Sequence, residues 1–87
     1  MRTTGMSVTR PEIGHICEEV AREVERAIGK FPPFHTGHEG KAIIEEELEE
    51  LWELIRANDS YGEAARTEAI QLAAMAVRYV YDLTGVR

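Results

Sequence analysis

Two consecutive prolines, Pro32 and Pro33, set the first limit on how this chain can fold. Proline fixes its own φ and drives the preceding residue into extended geometry, so no helix runs through Lys30-Phe31-Pro32-Pro33-Phe34-His35. Phe31 and Phe34 bracket the prolines, which predicts a joint anchored on neighbouring helices rather than a free linker. A second break, Asn58-Asp59-Ser60, is built from turn-forming residues. Three segments remain, and each carries apolar residues at helical spacing.

The first segment is expected to become helical at Thr9 or Arg10, with Pro11 in the first turn where a missing N–H costs nothing. Ile13, Cys17, Val20, Val24, Ala27 and Ile28 recur at intervals of three and four and form one stripe. Gly29 is a candidate stop. Cys17 lies on the stripe and is expected to be a buried, inert thiol. The second helix is predicted over Gly37 to about Ala57, with Thr36 as its cap and Glu39 completing a capping box. The third runs from about Tyr61 to Leu83, capped by Asp59 or Ser60 and closed by Gly85. No strand-like alternation is present. The expected fold is all-α: an antiparallel hairpin of the second and third helices, plus the N-terminal helix.

The 87 residues suffice for one domain, 1–87, in which residues 1–9 read as a short arm. A core this small is thin, and a single cysteine excludes an internal disulfide. That leaves metal, a partner chain or both as the further source of stability. The lone cysteine and the lack of an apolar leader or spanning segment suggest a cytoplasmic protein with no membrane partner. A net charge of −6 with scattered Lys and Arg argues against nucleic acid.

The negative charge has a focus: five of the six positions from Glu45 to Glu50 are Glu. At about 100° per residue, Glu45, Glu46, Glu49 and Glu53 fall on the polar half of their helix. Glu47 instead projects between Leu51 and Leu54, and Glu50 lies at the border of the apolar arc. On the third helix Glu68 sits between Met75 and Tyr79, again inside an apolar arc, with Gln71 one turn later. The short turn makes these helices antiparallel neighbours, which brings Glu50 and Glu68 level. Carboxylates held together on a packed face require a proton, a cation or a metal ion. Oxygen donors of this kind suit Mg²⁺ or Mn²⁺. An ion pair with Arg66 or Arg78 meets the same need, and spacing alone does not choose between them.

These residues resemble the all-α nucleoside triphosphate pyrophosphohydrolases of the MazG and dimeric dUTPase kind, whose helices carry E-E-x-x-E and then E-x-x-D. Here the halves read Glu46-Glu47-Leu48-Glu49-Glu50 and Glu68-Ala69-Ile70-Gln71. His38-Glu39-Gly40-Lys41-Ala42-Ile43-Ile44, Leu51-Trp52 and Leu72-Ala73-Ala74-Met75-Ala76 extend the likeness to small phage and prophage MazG-like proteins, over approximately residues 12–83. The resemblance implies hydrolysis of a (deoxy)nucleoside triphosphate to the monophosphate and pyrophosphate. It implies Mg²⁺ held by Glu47, Glu50 and Glu68, with Glu46 as a further ligand or water orienter, and assembly into helical bundles as a homodimer or homotetramer, which fits the thin core. Gln71 departs from the pattern. It can offer an oxygen but adds no charge and cannot act as a base, which leaves a non-catalytic interaction or nucleotide-binding module as the alternative. Lys41, Arg66 and Arg78 are candidate phosphate contacts. Trp52 and Tyr79 are expected to pack within the bundle rather than stack on a base, and His38 to serve the helix start.

Overall fold

The computed structural model describes residues 10–85, so the expected arm at residues 1–9 lies outside the described residues. Three α-helices follow one another: α1 (Pro11–Lys30), α2 (Gly37–Arg56) and α3 (Glu63–Tyr79), the last continued by a π-helical turn, Val80–Thr84. Among the described residues there is no strand. α3 is central, with α1 and α2 each packed against it. Glu19 and Ala27 of α1 meet Arg66 and Arg78 of α3, so those two helices run parallel. α2 runs antiparallel, since Gly40 at its start meets Tyr79 while Glu47 and Glu50 meet Glu68.

The ends of the helices follow local chemistry. Thr36 Oγ1 accepts from Glu39 N–H at 3.1 Å, and Glu39 Oε1 accepts in return from His35 N–H at 2.6 Å. This is the expected capping box, reaching back one residue further than its usual target. α2 ends on Asn58 at φ 62°, with Asp59 N–H donating to Leu54 O and Asn58 N–H to Ile55 O. That pair of bonds defines a Schellman motif, and asparagine tolerates the left-handed backbone it needs. α1 passes through Gly29 and stops at Phe31, where the proline joint begins. The cap of α3 is Gly62, without a side-chain bond, rather than Asp59 or Ser60. At its other end Gly85 N–H reaches Val80 O at 2.9 Å, and Gly85 takes φ 81°.

The buried apolar set is small: Val24, Ala27, Phe34, Ala65 and Ala74. Alanines on α3 let both flanking helices approach closely. Gly40 does the same for α2, since a Cβ there would lie 2.6 Å from the Tyr79 ring. Phe34 anchors the joint as expected, whereas Phe31 is 56 % exposed. Cys17 is exposed, contrary to the buried thiol its stripe suggested, because the N-terminal half of α1 has little to pack on. Ile13 and Ile16 are exposed for the same reason. Trp52 is also outside the core, 46 % exposed beside Leu48 and Ile55, with the Arg56 guanidinium near its ring.

One buried ion pair organises the joint. Arg78, 3 % exposed, donates to Asp82 Oδ2 at 2.9 Å, to Ala27 O at 3.0 Å and to Phe31 O at 2.8 Å. Asp82 Oδ2 also accepts from Phe34 N–H at 2.9 Å. Removing one partner of such a pair strands the other charge away from water, at a cost of about 3–5 kcal/mol. Asp82→Ala is therefore expected to lower the urea midpoint strongly. Glu19→Ala, which breaks an exposed pair with Arg66, should leave it close to the parent value.

Candidate metal centre

Helical geometry alone brings three carboxylates together. Glu47 and Glu50 project from adjacent turns of α2, and the antiparallel α3 presents Glu68 opposite them. One oxygen from each lies within 4.8 Å of the others. Glu47 and Glu68 are half-buried and Glu50 is exposed. The buried Oε1 atoms of Glu47 and Glu68 accept no hydrogen bond from any neighbouring donor group.

The cations expected as alternatives are engaged elsewhere. Arg66 makes a two-pronged pair with Glu19 of α1, at 2.5 and 2.6 Å. Arg78 is committed to Asp82 and two carbonyl oxygens. Lys41 pairs with Glu45 on the outer face of α2, and Arg26 pairs with Glu23. Among the described residues no ion pair involves Glu47, Glu50 or Glu68.

Two of the three carboxyls are shifted toward their neutral form. Burial, and then the charges of Glu50, Glu68 and Glu46, push the Glu47 carboxyl from 4.5 up to about 7. Glu68 is also raised, chiefly by burial and then by its hydrogen bond to Glu50. A site where buried oxygens of Glu47 and Glu68 lack donors and both carboxyls resist ionisation is chemically suited to a divalent cation. The donors are all hard oxygens, as Mg²⁺ and Mn²⁺ prefer.

Two clefts border α3, and only the first of them touches this centre, through Glu47. The larger, about 360 Å³, is walled by the joint residues Phe31 to Phe34 and by Ile43 and Met75, with Glu46, Glu47 and Gln71 along it. The second, about 300 Å³, lies between α1 and α3 and holds Arg22, Arg26 and Arg66 beside Glu19 and Glu23. Gln71 borders both. The predicted site residues thus divide. Glu47, Glu50 and Glu68 form the centre, and Glu46 and Gln71 line a cleft next to it. Arg66 lines the second cleft, Arg78 closes the base of the first, and Lys41 lines neither. The sequence reading did not single out Phe31, Phe34, Ile43 or Arg26 for a site. For Phe31 and Phe34 the one signal was the Pro-Pro joint, which bends the chain back beside α3, whereas Arg26 on α1 and Ile43 on α2 carried none.

Comparison of the chain with family models, curated proteins and solved structures finds no match.

Raised carboxyl pKa values give stability a definite pH dependence. Below about pH 4.5 Glu47 is protonated in folded and unfolded chains alike. Between 4.5 and about 7 the unfolded chain ionises first, so each step upward favours unfolding until both states are ionised. Metal-free protein should therefore melt several degrees lower at pH 8 than at pH 5.5, a shift of the size that about 1–2 kcal/mol produces. Glu47→Gln should flatten this dependence. The lowered pKa of Glu19 acts below 4.5 and does not oppose it in this window. Thermal melts in chelator across that pH range check both expectations.

Proposed function

We propose that this protein is a Mg²⁺-dependent nucleoside triphosphate pyrophosphohydrolase that works as a homo-oligomer. The observation that carries the reading is the uncompensated trio Glu47, Glu50 and Glu68. The E-E-x-x-E and E-x-x-Q segments that supply it resemble those of MazG-like enzymes. In this reaction a water oxygen forms a bond to the α-phosphorus, the bond to the bridging oxygen breaks, and pyrophosphate departs with that oxygen. The water's proton passes to a base, and the other product is the nucleoside monophosphate.

Mg²⁺ bound by the trio would neutralise charge on the phosphate oxygens and acidify a water. The chain's own contributions are distinct. Glu47 and Glu68, seated on facing helices, fix the separation of the ligands through the packing of α2 on α3. Glu50 is exposed and can turn inward as substrate arrives. Glu46 lines the adjoining cleft with one acceptor side chain free, in a position to orient a water or take its proton. Arg66 keeps an accessible guanidinium but pairs with Glu19 on the α1 side of α3, roughly 160° around the helix from Glu68, so a phosphate held at the trio does not reach it within one chain. Arg78 acts structurally instead, because its donors are already engaged.

Gln71 favours a second reading, a relative that binds nucleotide without hydrolysing it. Its neutral amide leaves that corner one negative charge short of the E-x-x-D pattern. The stripe Leu48, Trp52 and Ile55 at helical spacing supports assembly with a second copy, since it leaves large apolar side chains on the surface of α2.

Purified protein with Mg²⁺ and a panel of NTPs and dNTPs is expected to release pyrophosphate. Glu47→Gln or Glu68→Gln should reduce the rate by at least about a hundredfold, the scale of losing a metal-supported step. Absence of release from every nucleotide overturns the enzymatic reading. Nucleotide-dependent thermal stabilisation without turnover would instead establish the second reading. Replacing Gln71 by Asp should tighten Mg²⁺ binding, measurable by titration, and should raise turnover where the amide is limiting.

A further inference from the structure

We propose that the cleft between α1 and α3 binds a phosphate dianion, free or carried as a monoester, at a site separate from the carboxylate trio. The inference stands on its own residues and does not rest on the pyrophosphohydrolase reading.

Three observations carry it. The first is a local reversal of charge. The chain carries −6 overall, yet three of its ten Lys and Arg line this one cleft of about 300 Å³. Arg22 and Arg26 stand one turn apart on α1, and the parallel α3 sets Arg66 across from them. Glu19 and Glu23 are the acids of the lining, so the cleft is net positive in an acidic molecule. A pocket of one sign concentrates the ion of the other.

The second is which polar groups are already used. Both oxygens of Glu19 accept from Arg66, and both oxygens of Glu23 accept from Arg26. The carboxylates are thus engaged, whereas donors remain. Among the described residues Arg22 enters no side-chain hydrogen bond or ion pair. Arg66 Nε and Arg26 Nη1 are also unengaged, and Thr67 and Gln71 add a hydroxyl and an amide. Arg22 is exposed and hydrated, so discrimination here comes from charge and from the planar guanidinium fork rather than from desolvation. A phosphate dianion, acceptor-only and with oxygens spaced to that fork, gains from both.

The third is that the existing pairs yield easily. Arg66–Glu19 and Arg26–Glu23 are exposed ion pairs, a class that contributes little to stability. A guanidinium can therefore turn from a carboxylate of charge −1 to a phosphate of charge −2 without disturbing the core. Because Arg66 lies on the far side of α3 from Glu68, an anion seated here is not a ligand of the trio.

The test uses the full chain in chelator, with ionic strength held constant by sodium chloride. Isoleucine-methyl NMR follows Ile70, which lines this cleft, and Ile43, which lines the other. Inorganic phosphate and then methyl phosphate are added at about pH 8, above the second phosphate pKa of about 6. The Ile70 signal is expected to shift and saturate while Ile43 stays in place. Arg22→Ala, which removes no hydrogen bond of the folded chain, should raise the half-saturating concentration at least about tenfold. Glu19→Gln, which takes away a competing carboxylate, should lower it about threefold. Saturation by both probes assigns the site to phosphate groups in general, and saturation by inorganic phosphate alone assigns it to the free ion; either supports the proposal. No saturable shift of Ile70, a response confined to Ile43, or a shift of equal size with chloride alone overturns it. So does undiminished binding in Arg22→Ala.

Discussion

The guanidinium of Arg78 is the tie on which the rest of the arrangement depends. The Pro-Pro joint contributes no helical hydrogen bonds, so its carbonyl and amide groups need partners from elsewhere. Arg78 takes the carbonyl oxygens of Ala27 and Phe31, and its partner Asp82 takes the amide of Phe34. One ion pair thereby binds the end of α1, the joint and the end of α3. It also seats the Phe34 ring beneath the Arg78 cation. The π-helical turn bears directly on this, because it begins between Arg78 and Asp82 and belongs to the same end of α3. A cleft whose walls are the joint inherits its shape from that pair.

Against this tie stands a deliberate weakness at the other level of the bundle. Three carboxylates face one another where larger apolar side chains could have filled the space between α2 and α3. With five buried apolar residues among those described, the fold has little stability in reserve, and the acids consume some of it near neutral pH. Such a cost at a site with no cationic partner is the pattern expected of function rather than packing. Binding a cation that the unfolded chain does not hold reverses the sign of the same interaction.

Much of this was legible in the sequence, and the limits are physical. Thr36, Glu39, the prolines and Asn58 act through bonds to residues a few positions away, so the joints could be read locally. Glu47 and Glu68 stood out because helical periodicity makes an acid inside an apolar arc visible, and a short turn fixes the register between two helices. Periodicity states which face is apolar, but not whether anything covers it. Cys17, Ile13 and Trp52 were assigned to packed faces on that basis, and the folded chain leaves all three exposed. The destination of Arg66 could not be read either, because Glu19 is brought to it only by the parallel packing of α1 on α3. Arg78 and Asp82 had the spacing of a helical ion pair. Their burial depends on the joint folding back over them, which no local signal announces.

The uncovered stripe on α2 bears on how assembly and chemistry can coexist. Leu48, Trp52 and Ile55 lie roughly 80–140° around the helix from Glu47, on the side away from Ile43, Glu46 and Glu50. The cleft and the exposed member of the trio occupy the opposite flank. A second copy seated on the stripe would therefore cover apolar surface without closing the entrance to the site. It would also hold α2 from behind and stiffen the helix that carries two of the three carboxylates. In a chain with so thin a core, the position of those carboxylates would then depend on such a contact as well as on α3. Association and metal binding should consequently be coupled in free energy, each strengthening the other, because both favour the same placement of α2.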